Sequence, residues 1–254
     1  MEYKSFKERL EAHREKCKAE WCRENGISTE TEEDRERAEI RYLQYEQEQA
    51  EIQRKAEQER KAELEAEKAK MKEYQDRERW ENLMAQIPPI YKEASISDFG
   101  KGIQPKIQQM LDGSSALILG ENGLGKTHLS WAILKELTKK GKRVRYVKAQ
   151  LLLYEIKKHQ DNIYDFIQGM YGKLDCLVID EIDKIFESKA DFIYLNYLID
   201  YRYEWARQTI VMGNGDKGRF IESLGQSIYS RLRGNNGMDI ALSGNDRRIS
   251  AKKE

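Results

Sequence analysis

Residues 120–127 place glycine, lysine and threonine at the spacing of a phosphate-binding loop. In such a loop the backbone N–H groups face a polyphosphate, and glycine permits a close approach that a Cβ would block. We expect Lys126 to reach the β- and γ-phosphates and the Thr127 hydroxyl to complete the shell of a Mg²⁺ ion. The residues predicted to bind a nucleoside triphosphate are Gly120, Glu121, Asn122, Gly123, Leu124, Gly125, Lys126, Thr127 and His128.

The sequence on either side of this loop predicts the strand and the helix that such a loop connects. Ala116–Leu119 is a short apolar run, typical of a buried strand, and apolar residues recur at helical spacing from Leu129 to Leu137, before Gly141. A helix that begins at the loop turns the positive end of its dipole towards a bound phosphate. A chance glycine-rich turn is the alternative, and it would explain neither flank.

Two carboxylates follow a second apolar run, Cys176–Ile179. In open parallel sheets ligands gather at the carboxyl ends of the strands, so we expect both acids to face the bound phosphates. Asp180 is the candidate Mg²⁺ ligand, directly or through water, and Glu181 is the candidate base that orients and polarises the attacking water. We expect Asp183 at the surface or in support of the ligands. An ordinary strand that ends in a solvated acidic turn is the alternative.

Polar and basic residues further along the chain extend this set. A third apolar strand, Thr209–Gly213, ends at Asn214, whose amide could position the same water. Arginines stand in Ser230–Arg233, after a predicted helix, and in Asn245–Arg248. Arginine suits recognition of a γ-phosphate because its planar fork offers paired, permanently charged donors. On composition alone each of these arginines is expected at the surface.

Composition limits the class of protein. Of the 254 residues 39% are hydrophobic and 35% are charged, with a formal net charge of zero, so a contact with nucleic acid would need a local basic patch. Three cysteines provide no disulfide framework, which favours a reducing, cytoplasmic location. The N-terminus lacks the apolar core of a signal peptide, and no apolar run reaches the about 18 residues of a membrane span. We expect a soluble protein of one or two domains.

Three unequal segments are predicted: residues 1–29, 30–86 and 87–254. The first carries Phe6, Leu10, His13, Cys17 and Trp21 at steps of three and four, which predicts a short amphipathic helix. Because His13, Cys17 and Cys22 lie close together, a zinc site is an alternative. The C-x-x-x-x-C spacing is wider than that of the usual zinc pairs, and packing residues of a helix explain the pattern better.

Residues 30–86 are predicted to form one long, solvated helix. More than half of the residues between Glu30 and Asn82 are charged, and acids often precede bases by four positions, as in Glu57 and Lys61. A partly disordered charged linker is the alternative, and apolar residues are too sparse to support a coiled-coil dimer. Pro88 and Pro89 end the helix, and the roughly 165 residues after them suit a single α/β domain.

The ordered motifs from Ile87 to Arg248 resemble the AAA+ ATPases of the DnaC/DnaI helicase-loader group, which includes the IstB transposition ATPases and phage-encoded DnaC-like proteins. The resemblance implies an α/β fold, an AAA+ P-loop NTPase core whose parallel sheet is flanked by helices, here preceded by a long charged N-terminal helix. It runs through residues 87–99, 120–129, 177–182, 199–204, 209–214 and 230–233.

The resemblance also implies roles for individual residues. Asn214 takes the sensor-1 position, and Arg231 takes that of an arginine finger that acts on ATP held by a neighbouring subunit. Arg248 fits the sensor-2 position, with Arg247 as the alternative. The implied cofactors are ATP and Mg²⁺.

The implied function is ATP-dependent loading of a DnaB-type replicative helicase onto single-stranded DNA at the start of replication. Residues 1–29 would bind the helicase, and the ATPase domains would self-associate into a hexameric spiral. The DNA surface is expected on Gln150–His159, with Lys184, Lys189 and Arg202. Two alternatives stay open: an IstB-like ATPase that assists a transposase, and an interaction protein whose assembly is gated by ATP.

Overall fold

The computed structural model describes residues 6–184, 189–234 and 236–244. The helices are α1 (Phe6–Glu24), α2 (Glu32–Gln86), α3 (Gln104–Leu111), α4 (Lys126–Lys139), α5 (Ala149–Lys157), α6 (Ile163–Phe166), α7 (Lys189–Glu204) and α8 (Lys217–Arg233). The strands are β1 (Ala116–Leu119), β2 (Val144–Lys148), β3 (Cys176–Asp180), β4 (Gln208–Gly213) and β5 (Met238–Ala241). A π-helical turn follows α6 directly, and α8 bends at Gly225.

The chain divides into two compact units, Met1–Lys72 and Glu73–Glu254. In the first, α1 packs against the beginning of α2 through aromatic rings. The Trp21 ring lies 5.6 Å from that of Tyr42 and 5.3 Å from that of Tyr45, while Cys22 and Ala38 are buried between the helices. The predicted helix over the first segment is therefore present.

The residues considered for a zinc site lie on the same helix. Cys22 is buried, whereas the Sγ of Cys17 lies 3.8 Å from Nε2 of His13. Among the residues that the structure describes, no three His, Cys, Asp or Glu side chains are grouped so that they could hold a metal ion.

The long helix α2 has the side-chain interactions that its sequence predicts. At its N-terminus the Thr31 hydroxyl accepts from the Asp34 N–H at 3.1 Å, which satisfies one of the free amides of the first turn. Further along, Glu57 and Lys61 form an ion pair of 2.7 Å with both side chains exposed. In the described part of the chain, no helix combines the length and the apolar character needed to cross a membrane.

The second compact unit begins inside α2. Leu83 and Ile87 are buried in its core, and the Arg79 guanidinium donates to the carbonyl oxygen of Gly141 at 3.2 Å. The proposed segment boundaries after residues 29 and 86 stay predictions.

A five-stranded parallel sheet forms the centre of this unit, in the order β2-β3-β4-β1-β5. Strands β1, β3 and β4 are buried along their whole length, which is why they read as continuous apolar runs. Helices cover both faces, and two apolar clusters fill the space between helices and sheet. Because all strands point the same way, the segments after β1, β3 and β4 meet at one edge.

Arg202 corrects one expectation from the sequence. We predicted it on a DNA-binding surface, but its side chain is fully buried. Its guanidinium donates to Thr209 Oγ1 at 2.9 Å, to the carbonyl oxygens of Tyr171 and Leu174 at 2.6 and 3.0 Å, and to that of Gln208. Burial lowers the pKa of Arg202 to about 10. The residue satisfies carbonyl groups inside the core and is not available to a ligand.

Candidate nucleotide-binding site

The loop between β1 and α4 has the backbone conformation that its glycines permit. Gly123 and Gly125 have φ angles of 82° and 90°, in the left-handed region that side chains with a Cβ rarely adopt. Gly125 is the N-cap of α4, so the helix begins at Lys126 and its free N–H groups open onto the loop. The predicted strand, loop and helix are all present in this order.

The Lys126 ammonium group lies over the loop. Its Nζ donates to the carbonyl oxygens of Gly120 and Glu121 at 2.7 and 2.9 Å, and to Oδ1 of Asn214 at 3.0 Å. Asn214 follows β4, the strand beside β1, so the sheet brings the third acceptor to the loop. The predicted lysine and the predicted sensor-1 asparagine are in direct contact.

Thr127 and Asp180 meet across the gap between α4 and β3. The Thr127 hydroxyl donates to Oδ2 of Asp180 at 2.8 Å. The same oxygen accepts from the Tyr146 hydroxyl at 2.7 Å, and Oδ1 accepts from the Glu181 N–H at 2.7 Å. Asp180 is only 4% exposed, and these hydrogen bonds compensate for the burial of its carboxylate.

Glu181 is held in an unusual backbone and charge environment. Its φ angle is 57°, which is uncommon outside glycine and concentrates at functional sites. Its carboxylate pairs with Lys148 at 3.2 Å and with Lys184 at 3.3 Å. Partial burial acts to raise the pKa of Glu181, but the hydrogen bonds and charges of the two lysines outweigh it, and the pKa lies below its usual value. The carboxylate is therefore ionised at neutral pH.

Asp183 supports Asn214. Its carboxylate accepts from the Asn214 backbone N–H at 2.9 Å and from the side-chain Nδ2 at 3.0 Å. Since Nδ2 donates to Asp183, Oδ1 is left to face Lys126. Asp183 meets both expectations, since it is exposed at the surface and also supports Asn214.

One cavity, of about 620 Å³, opens onto these groups. This volume lies in the range of small-molecule sites. Ile90 and Tyr91, from the segment after α2, form one wall, where the His128 Nε2 lies 2.6 Å from Oδ2 of Asp98. The predicted site residues that line the cavity are Asn122, Gly123, Gly125, Lys126, Thr127, His128, Asp180, Glu181 and Asn214.

Oxygen donors at the base of this cavity fit a magnesium ion. A threonine hydroxyl and a carboxylate already lie within hydrogen-bond distance of each other, at Thr127 and Asp180. Hard oxygen ligands of this kind are those that Mg²⁺ prefers.

Tyr146 and Lys148 were missed in the sequence. Both lie on β2, the strand beside β3, and Lys148 is directly opposite Asp180 in the register. Residues on a neighbouring strand give only a weak signal, because a sequence shows neither which strands pair nor which side chains share a face.

Arg231 lies elsewhere in the fold. It is on α8, where its guanidinium pairs with Asp200 of α7 and donates to Ser227 Oγ at 2.5 Å. It is not among the residues that line the cavity. Arg247 and Arg248, the candidates for the sensor-2 position, lie outside the described residues.

Comparison with protein families gives a match over most of the chain. Residues 38–227 match the family described as IstB-like ATP binding protein.

Individual relatives fall into two groups. The chain is 28% identical to the replicative helicase loader DnaC of Escherichia coli (strain K12) over 123 residues, which is 47% of this chain and 50% of that protein. It is 30% identical over 160 residues to an insertion-sequence ATP-binding protein of Bacillus thuringiensis subsp. berliner, covering 57% and 64% of the two chains. The chain spans about half the length of the first curated relatives it matches.

Solved structures share the fold. A DnaC helicase loader superposes with a TM-score of 0.53 at 20% identity, covering 61% of this chain and 100% of that one. DnaI superposes with a TM-score of 0.53 at 22% identity, covering 64% and 95%. At such identities the likeness is one of fold, and it confirms the predicted AAA+ architecture.

Proposed function

Because the chain belongs to the family of IstB-like ATP-binding proteins, we propose that it hydrolyses ATP and uses it to load a DnaB-type replicative helicase onto single-stranded DNA. The observation that carries the ATPase part is the meeting of Lys126, Thr127 and Asp180 at one cavity. The similarity to the helicase loader DnaC supports the replication part.

Binding of the triphosphate begins with an exchange of hydrogen bonds at Lys126. Its ammonium group now donates to two loop carbonyls and to Asn214. Phosphate oxygens carry more negative charge than carbonyl oxygens, so they compete well for the same donors. Lys126 then offsets the negative charge of the phosphates, and the N–H groups at the start of α4 donate hydrogen bonds to them.

Thr127 and Asp180 are the residues that would hold Mg²⁺. The ion, when bound, draws charge from the phosphate oxygens and so favours attack at phosphorus. Asp180 keeps its orientation through the N–H of Glu181 and the hydroxyl of Tyr146.

Glu181 is the proposed base, and two neighbouring lysines pair with its carboxylate. A carboxylate that accepts a proton needs a free lone pair directed at the water. In this conformation Lys148 and Lys184 each bind one of its oxygens and lower its pKa, so opening of either ion pair would make Glu181 a stronger base. Asn214, fixed by Asp183, would hold the same water through its amide.

Arg231 is proposed to act on ATP bound by a second copy of the chain. Its side chain is 31% exposed and lies outside the cavity of its own chain, so a neighbour can reach it once its ion pair with Asp200 opens. A guanidinium delivered across a subunit boundary stabilises the charge that develops on the γ-phosphate. ATP would thereby favour assembly, for which we propose a hexameric spiral, and hydrolysis would weaken it.

Exposed side chains support the two proposed macromolecular partners. On the α1–α2 hairpin Leu10 and Ile40 are 58% and 57% exposed, and we propose that this hairpin binds the helicase.

On α5 Tyr154 is 57% exposed, and Lys158 lies 4.4 Å from its ring. An exposed aromatic ring beside a cation suits a stacked base and its phosphate, so we propose α5, with the exposed Lys189, as the DNA surface.

A second candidate function rests on the insertion-sequence relative. An ATPase that assists a transposase would use the same nucleotide site and the same assembly, but a different partner. A third candidate, an interaction protein that ATP only assembles, would bind ATP without a need for turnover.

One experiment separates these candidates. The full chain is mixed with a purified DnaB-type helicase, with ATP, and with circular single-stranded DNA, and helicase bound to the circle is measured after gel filtration. We expect ATP-dependent loading by the natural chain and none by Lys126→Ala, with Lys142→Ala as the exposed control. Loading that Glu181→Gln supports as well as the natural chain would favour ATP as an assembly ligand. In a parallel mixture that contains a purified transposase in place of the helicase, retention of the transposase, with no loading of helicase in the first mixture, would favour the second candidate.

A further inference from the structure

Tyr146 binds the carboxylate that the proposed magnesium site depends on. Its hydroxyl donates to Oδ2 of Asp180 at 2.7 Å, and Thr127 donates to the same oxygen at 2.8 Å. A carboxylate oxygen offers about two lone pairs, so these two donors occupy Oδ2. A cation that binds this oxygen has to take the place of one of them.

The two donors differ in how firmly they are held. Thr127 has a short side chain in the first turn of α4, and its own oxygen can serve as a ligand once its hydroxyl turns. The Tyr146 ring, in contrast, stacks on the buried Trp131, with ring centroids 4.5 Å apart and planes inclined by 29°. Strand pairing fixes its backbone too, since Tyr146 is opposite Val178 on β3. Thr127 is therefore the donor that can be exchanged, and Tyr146 is the one that stays.

We propose that Tyr146 is a positioning residue for the metal ion: it keeps Asp180 oriented while Thr127 gives up its hydrogen bond to admit Mg²⁺. This inference rests on the proposed nucleotide site. It adds to that site a residue of β2, a strand on which the sequence predicted no ligand. Trp131, which stacks on the ring from the helix that carries Thr127, keeps the phenol in place.

The test is the magnesium dependence of nucleotide binding by Tyr146→Phe. This change keeps the stacked ring and removes only the hydroxyl. A hydrogen bond to a charged group is worth about a factor of ten or more in an equilibrium constant, so the Mg²⁺ concentration for half-maximal binding of a fluorescent ATP analogue should rise about tenfold. Binding of the same analogue in EDTA should not change, because the phosphate loop is intact.

Tyr229→Phe is the matched control. Its hydroxyl also donates to an aspartate, Asp239 Oδ2, at 2.9 Å, but Asp239 is not among the residues that line the cavity. This variant should titrate with Mg²⁺ like the natural chain. Should Tyr146→Phe fold poorly, Trp131→Phe is the second variant, and it should shift the Mg²⁺ dependence in the same direction by less.

The outcomes distinguish a failure of the proposed function from a failure of the positioning role of Tyr146. If the natural chain binds no nucleotide with or without Mg²⁺, the proposed function fails. If the natural chain shows Mg²⁺-dependent binding and Tyr146→Phe gives the same titration, the function stands and the positioning role is wrong. A loss of binding in EDTA as large as that in Mg²⁺ would also overturn it, since the change would then act on the loop and not on the metal.

Discussion

Two regions of this chain use lysines and carboxylates in opposite ways. At the carboxyl edge of the sheet, Lys126 is 9% exposed and contacts three named acceptors, and Asp180 is 4% exposed with donors on both oxygens. Along α2, Glu57 and Lys61 pair at 2.7 Å with about two thirds of each side chain in water. The difference teaches that a charged side chain gains importance when the surrounding atoms exclude water and fix its partners.

The largest effect is expected at Lys126. Lys126→Ala should remove measurable binding of a fluorescent ATP analogue, because it deletes the cation at the centre of the site while the helix and sheet remain. Circular dichroism should show an unchanged fold, and Lys142→Ala, at an exposed lysine, should bind normally. Binding within tenfold of the natural chain would show that the buried lysine matters no more than an exposed one.

Arg231→Ala should keep nucleotide affinity and lose turnover. Arginine fingers contribute about a factor of 10³ or more to the rate, so we expect a loss of that order in kcat that higher ATP does not restore. Phosphate release at saturating ATP is the measurement. Arg233→Ala, two residues along the same helix, is the control.

Mixing variants tests whether sites are shared between copies. Lys126→Ala supplies an intact arginine and Arg231→Ala an intact pocket, so the mixture should recover part of the activity that each lacks. Normal turnover by Arg231→Ala alone would refute the shared site.

A third pair of variants compares the buried Arg202 with the partly exposed Arg207. Arg202→Met should lower the free energy of unfolding by about 3 kcal/mol, because several carbonyl oxygens and Thr209 lose their donor inside the core. Arg207→Met removes an ion pair of 3.1 Å with a 35% exposed side chain, and should cost less than about 1 kcal/mol. Urea unfolding measures both, and equal losses would contradict the contrast.

The smallest effect is expected on α2. Lys61→Ala removes the pair with Glu57 and should change helix stability by less than about 0.5 kcal/mol, since exposed pairs four residues apart are weak. Thermal melting followed by circular dichroism at low and high salt is the measurement. A loss of stability above about 1 kcal/mol would show that this ion pair contributes more than an exposed pair usually does.

The site could be predicted where chemistry and chain order coincide. Continuous apolar runs identified β1, β3 and β4, because strands buried on both faces leave few polar positions. Lys126 and Thr127 were predicted because they follow the glycines of the loop, and Asp180 and Glu181 because they follow an apolar run.

Residues that depend on pairing between strands or helices could not be found. Tyr146 reaches Asp180 only because β2 lies beside β3, and Asp183 reaches Asn214 only because β3 lies beside β4. Arg202 was expected at the surface, as most arginines are, since the carbonyl groups that surround it belong to distant parts of the sequence.

The position of β2 in the sheet has a consequence for motion. Among the described strands, β2 has a partner on one side only, and yet it carries both Tyr146 and Lys148. Border strands lose backbone pairing at lower free energy than central ones, so amide protons of β2 should exchange with solvent sooner than those of β1 or β4. Tyr146 and Lys148, whose side chains contact the two proposed site carboxylates, thus lie on a strand at a border of the sheet.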